Sequence, residues 1–209
     1  MLGVKFKFIN NGDDCGAFIE RRHVQTVVDA VPGFFRDYGF RIVCEAPVDR
    51  LELVSFCGMR PLSCFDGVRM VREFKTALEK DSLSVTHLPD EVTARKWIYP
   101  VGECGLALTS GVPVFQAFYQ AYIRQGIKSN MSSAVYMESG AMRLAVGLHP
   151  KAQPVSSDAR LSFWSAFGVT PEEQEHLEEY YTGWSFTGGN ETVQLSDVSP
   201  AGIELLRVL

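Results

Sequence analysis

The 209-residue sequence predicts an α+β chain in which strands come first and helices follow. Three observations carry that prediction. Short β-prone runs broken by turn residues recur through the first 65 residues. Beyond residue 66 the segments read as helices, which makes that point a candidate subdomain boundary. Late in the chain, Thr170-Pro171-Glu172-Glu173 supplies an N-cap, an N1 proline and a capping-box glutamate.

In order, residues 4–9 and 15–19 read as two strands joined by Asn10-Asn11-Gly12-Asp13-Asp14, with Gly12 taking a positive φ. Val24, Val27, Val28, Val31, Phe34 and Phe35 lie at helical spacing across Arg21 to Tyr38, with Pro32-Gly33 expected to kink that helix. Phe40–Cys44 and Leu51–Cys57 read as strands, the second turned at Gly58 and followed by Pro61–Phe65. Helices are expected over Val68–Lys80, Asp90–Tyr99, Val114–Gln125, Arg160–Phe167 and from Thr170 to Tyr181. The pairs Phe34-Phe35 and Tyr180-Tyr181, with Phe163, Trp164 and Phe167, read as core, and the acidic last helix as a capped, solvated face.

Composition narrows the function classes. With 46% hydrophobic and 22% charged residues, the chain is neither disordered nor fibrous. A net charge of −5 argues against a simple basic nucleic-acid binder, yet the excess is local. Residues 1–124 hold 15 Lys+Arg and 15 Asp+Glu, whereas residues 125–209 hold 5 and 10. The first part therefore has the cations for a positive groove. Five cysteines without a CxxC pair read as unpaired thiols of a reducing compartment, and Cys57 and Cys64 are spaced too loosely for a metal site. The uncharged stretch Cys104–Ile123 has the length of a membrane span, but Gly105, Gly111, Pro113, Gln116 and Gln120 favour a buried loop followed by a buried helix. No transmembrane segment is expected.

The segment FINNGDDCGAFIE, Phe8 to Glu20, poses the chemical question. Asn, Asp and Gly suit any hairpin turn. The flanking runs FKFI and CGAFI are apolar, however, so the turn is expected to project Asp13 and Asp14 from the edge of a core. Two adjacent carboxylates repel and resist burial, and a divalent cation relieves both penalties. Magnesium suits such hard oxygen ligands and leaves positions open for substrate phosphates. Two-metal phosphoryl transfer needs such a rigid, carboxylate-bearing tip.

Phe8–Glu20, then a helix, then YGFRIVCEAP (Tyr38–Pro47), then LELVSFCGMRPL (Leu51–Leu62), resembles motifs C, D and E of viral RNA-dependent RNA polymerases in order and spacing. The likeness is to the tombusvirus-like group, and VREFKTALEKD (Val71–Asp81) with GECGLALTSGVPVFQAFYQ (Gly102–Gln120) resembles the start of that group's thumb. The resemblance implies part of a right-hand polymerase: a partial palm over residues 1–65 and a mainly helical thumb over 66–209. It implies Asp13 as the main motif C metal ligand, Asp14 as a supporting ligand, and Gly12 as the turn former. Mg²⁺ or Mn²⁺ is the implied cofactor. Phe56, Cys57 and Gly58 fall in motif E, which supports the RNA 3′ end, and Arg60 is a candidate for the RNA backbone. Arg69, Arg72, Lys75, Arg95 and Lys96 are candidates for the duplex. RNA template and product, nucleoside triphosphates and a viral replication complex in the host cytoplasm are the implied setting.

Two departures qualify the implied activity. Motif D in many such polymerases offers a lysine to the leaving pyrophosphate, but no lysine lies between Asp29 and Ser63. Arginine is a poor proton donor, so Arg41 is left an electrostatic role at most. Motifs F, A and B, which lie upstream of motif C in the family, are not found in these 209 residues. The chain is therefore expected to be inactive alone and to need those motifs from a missing upstream segment or a separate partner chain. The alternative is a non-catalytic α+β interaction module with an incidental NGDD turn.

Overall fold

A computed structural model describes residues 3–84, 88–129 and 141–187. The chain is a mixed α/β structure of two compact units, residues 1–59 and 60–209. The expected boundary at residue 66 falls within a hairpin whose turn belongs to the second unit.

In the first unit, β1 (Phe6–Asn11) and β2 (Asp14–Ile19) pair antiparallel, in register from Phe6↔Ile19 to Asn11↔Asp14. The hairpin forms as expected, with its turn confined to two residues. Only Gly12 and Asp13 connect the strands, and Gly12 alone has positive φ (67°), the signature of a type II′ turn. After a 3-10 turn at Arg21–His23, α1 (Val24–Asp37) runs through Pro32-Gly33 without a break, and Gly39 (φ 81°) follows its end. Two strand expectations fail. Phe40–Cys44 has no regular structure, and Leu51–Leu53 is a 3-10 turn with the chain irregular to Ser55. Strand preference takes effect only where a neighbour offers a ladder, and these runs have none among the described residues.

No described residue of this unit is buried. The expectation that its strands border a core fails with that observation. Phe6 (55% exposed) and Phe8 (54%) stand on one face of the hairpin, and Ile9 (38%) and Phe18 (41%) on the other. The expected core pair also opens outward, with Phe34 59% exposed.

The second unit holds the core. β3 (Met59–Cys64) and β4 (Gly67–Arg72) form its hairpin, so the helix expected from Val68 is a strand as far as Arg72. Val68 and Met70 face outward while Val71 is buried, a period of two that outweighs the weak helical spacing. Then come α2 (Phe74–Asp81), α3 (Glu91–Thr109), α4 (Phe115–Gln125), α5 (Ala141–Ala145), α6 (Ser157–Phe167) and α7 (Pro171–Gly183). Asp90 caps α3 by accepting from the Thr93 amide at 2.7 Å.

α3 was expected to stop at Tyr99 but continues through Pro100 to Thr109. The uncharged stretch is thus the end of one helix, a short turn and a second helix, in place of a loop and one helix. Proline in a helix costs about 3 kcal/mol, and close packing of α3 on α4 offsets it. A Cβ on Gly105 would lie 2.1 Å from the Tyr119 ring, and one on Gly102 would lie 2.9 Å from the Tyr119 carbonyl oxygen. Phe74, Phe115, Phe118, Tyr119, Phe163 and Tyr181 form an aromatic core, with neighbouring rings 5.0–6.2 Å apart. Phe163 and Tyr181 are buried as expected, whereas Trp164 and Tyr180 are 47% and 38% exposed.

Candidate active site

The site is built on the β1–β2 turn. Asn10 Nδ2 donates to the carbonyls of Gly12 (3.2 Å) and Asp14 (3.4 Å), tying the tip from one face of the hairpin. Asp13 sits at the second central position of the turn, and Asp14 begins β2 opposite Asn11. Both are exposed, and neither carboxylate has a hydrogen bond or ion pair among the described residues. Two adjacent, uncommitted oxygen donors on a turn held by its own backbone fit a hard divalent cation. No group of three or more His, Cys, Asp or Glu able to hold a metal occurs among the described residues.

A second turn lies beside the first. Phe56 and Met59 exchange two backbone hydrogen bonds of 2.9 and 3.0 Å around Cys57 (φ 53°) and Gly58 (φ 68°). Positive φ at both central positions is the type I′ pattern. Asn11 Nδ2 reaches Cys57 Sγ at 3.2 Å, so the carboxylate turn and three of the expected RNA-contacting residues, Phe56, Cys57 and Gly58, meet.

Arg60 belongs to the second unit, where its guanidinium donates to Glu73 (2.9 Å) and to the Ala166 carbonyl (3.0 Å). Of the five cations proposed for the duplex, the three arginines are engaged within the second unit. Arg72 is locked to Asp81, which is 2% exposed, by two hydrogen bonds, and also donates to the Tyr119 hydroxyl at 3.0 Å. Burial, then the Asp81 charge, holds the Tyr119 hydroxyl well above the ordinary phenol range, so it stays protonated and donates to Asp81 at 2.6 Å. Arg95 clasps Glu91, the Gln125 carbonyl and the Phe186 carbonyl and lies 5.3 Å from the Phe186 ring centroid. Arg69 pairs with Asp66. Lys75 is exposed and Lys96 half-buried.

Sequence reasoning missed two further connections. Asn11 carries no stronger signal than any turn asparagine, and nothing local announces that Cys57 adopts positive φ. Glu178, read as part of a solvated acidic face, instead accepts from the Val114 amide at 2.9 Å and pairs with Arg160 at 2.8 Å. It thereby caps α4, where buried Val114 sits at φ 64° in a γ-turn.

The profile described as viral RNA dependent RNA polymerase matches residues 1–188. The RNA-directed RNA polymerase of Turnip crinkle virus is 41% identical across 94% of this chain and 26% of its own length. That of Maize chlorotic mottle virus is 41% identical across 89% of this chain and 19% of its own, and that of Panicum mosaic virus 41% across 86% and 18%. No solved structure matches. The chain belongs to the viral RNA-dependent RNA polymerase family. It spans about a quarter or less of the length of these curated relatives.

Proposed function

We propose that this chain provides motifs C to E of the palm and a helical thumb to a right-hand, RNA-directed RNA polymerase that copies viral RNA in host cells. Residues 1–65 are the palm portion and 66–209 the thumb. The observation that carries this reading is a unit without a core of its own, whose hairpin bears apolar side chains on both faces and two uncommitted carboxylates at its tip. Sheets covered on both faces are apolar on both faces, and an isolated two-stranded hairpin is marginal in water. The polypeptide covering it carries motifs F, A and B, from an upstream segment or a partner chain.

In that setting Asp13 is the main ligand and Asp14 the supporting ligand of Mg²⁺ or Mn²⁺. Bound divalent ions supply activation of the RNA 3′-hydroxyl and charge neutralisation on the triphosphate. Gly12 and Asn10 hold the carboxylates at a fixed tip, so no reorganisation is needed as charge develops. Phe56, Cys57 and Gly58 support the RNA 3′ end. With no motif D lysine, Arg41 assists electrostatically and a proton for pyrophosphate comes from elsewhere. Arg60 braces β3 through Glu73 and Ala166 and acts on RNA through that support. Lys75 and Lys96 face the duplex. Among the described residues no helix is long and apolar enough to cross a membrane.

Primer extension on an RNA template, by this chain with and without a polypeptide bearing motifs F, A and B, tests the reading. Activity is expected only in the mixture and with Mg²⁺ or Mn²⁺. Asp13→Ala lowers it by about 10²-fold or more, the scale of losing one preorganised charge-stabilising group, and Asp14→Ala lowers it less. Undiminished extension by Asp13→Ala overturns the site. Absence of any metal or nucleotide dependence favours a non-catalytic interaction module.

A further inference from the structure

The bond between Asn11 and Cys57 joins two turns that sequence separates by 46 positions. Each turn is stiff on its own. The first is tied by Asn10 across Gly12 and Asp14, the second by the paired hydrogen bonds of Phe56 and Met59. Asn11 lies on the opposite face of β1 from Asn10, so the two asparagines brace the same tip from both sides. Cys57 stands where a type I′ turn prefers Asn or Gly, and a side chain with a Cβ is strained there. In that backbone conformation its sulfur meets the Asn11 amide at 3.2 Å. A thiol sulfur is a weak acceptor, so the contact acts through geometry and not through strength.

We propose that Asn11 and Cys57 are a positioning pair that sets the carboxylate turn and the Phe56–Gly58 turn in register, so that the metal ligands and the support for the RNA 3′ end move as one piece. Asn11 is one glycine away from Asp13 and directly opposite Asp14, and Cys57 is the centre of the second turn. A shift at either member displaces the other site. The inference rests on the polymerase reading and adds to it that neither turn is placed independently.

The test has two arms. In the isotope-labelled chain, Cys57→Ala is expected to move the Asn11 side-chain amide resonance, while Cys57→Ser, which keeps an acceptor at the same place, restores it towards the parent position. In the assembled polymerase, Asn11→Ala and Cys57→Ala are each expected to lower kcat by about tenfold, with KM for nucleotide nearly unchanged. The double variant loses no more than the worse single, and Cys57→Ser recovers most of the rate. An unmoved amide resonance, or losses that multiply in the double variant, overturns the pairing. Retained activity in Asp13→Ala instead overturns the polymerase site while the resonance arm still reports on the contact, so the two failures are distinguishable.

Discussion

Gly105 shows what a single residue controls in this chain. Helix propensity alone makes Gly→Ala favourable by about 1 kcal/mol. At this position the added Cβ would lie 2.1–2.4 Å from three atoms of the fully buried Tyr119 ring. That ring is held by Asp81 and Arg72 and has nowhere to retreat. Overpacking costs about 1–3 kcal/mol, and here the hydrogen bonds of a buried ion pair are disturbed as well, so the clash wins. Gly105→Ala is expected to destabilise the chain by about 2 kcal/mol in chemical denaturation, with the second unit reporting the loss. At this scale the sequence was informative where residue type alone dictates behaviour. Gly12 is in the positive-φ position its type suggests, and Asp13 and Asp14 are exposed at the turn. It was silent where the partner is distant: Asn11 on Cys57 and Glu178 on the Val114 amide depend on chain returning from 46 and 64 residues away.

Among the elements, α7 is the one most plainly written in the sequence. Thr170 Oγ1 accepts from the Glu173 amide at 3.3 Å, and the Glu173 carboxylate accepts from the Thr170 amide at 2.8 Å. Both signals are local, so the sequence contains the whole argument. Thr170→Ala is expected to cost about 1 kcal/mol, read from the denaturation midpoint. The Thr170 amide and hydroxyl hold the Glu173 carboxyl below its ordinary range. A depressed folded-state value stabilises above the ordinary carboxylate pKa and is lost as pH falls through the folded value. The difference between parent and Thr170→Ala should therefore shrink in acid and persist at neutral pH. Elements decided by tertiary context were less legible. The helix from Asp90 was expected to end at Tyr99, but packing on α4 carries α3 onward through Pro100. Phe40–Cys44 argued for a strand, but no neighbouring ladder is present among the described residues. In β4 the alternation of Val68, Met70 and buried Val71 overrode a helical reading because β3 lay ready to pair.

For the whole molecule, the asymmetry between the units is the central fact. Every buried residue among those described lies beyond residue 59, in a unit with its own aromatic core. The first unit has apolar side chains in abundance and buries none of them, which is the pattern of a surface made to be covered. The family was readable because the order of its segments is linear, and the family profile matches residues 1–188. The strands alone do not say where their cover lies, because apolar runs look alike whether it is in the same chain or another. These features converge on one claim, that the Gly12–Asp14 tip holds divalent ions within a larger polymerase. Iron-directed backbone cleavage tests it most directly. With Fe²⁺ in place of Mg²⁺, peroxide and ascorbate generate radicals that cut the chain next to the bound metal. In the assembled polymerase with RNA and nucleotide, we expect cuts clustered at residues 12–14, with weaker ones at 57–58, all lost in Asp13→Ala and competed away by Mg²⁺. Cuts confined to other parts of the chain, or a pattern unchanged by Asp13→Ala, would contradict it.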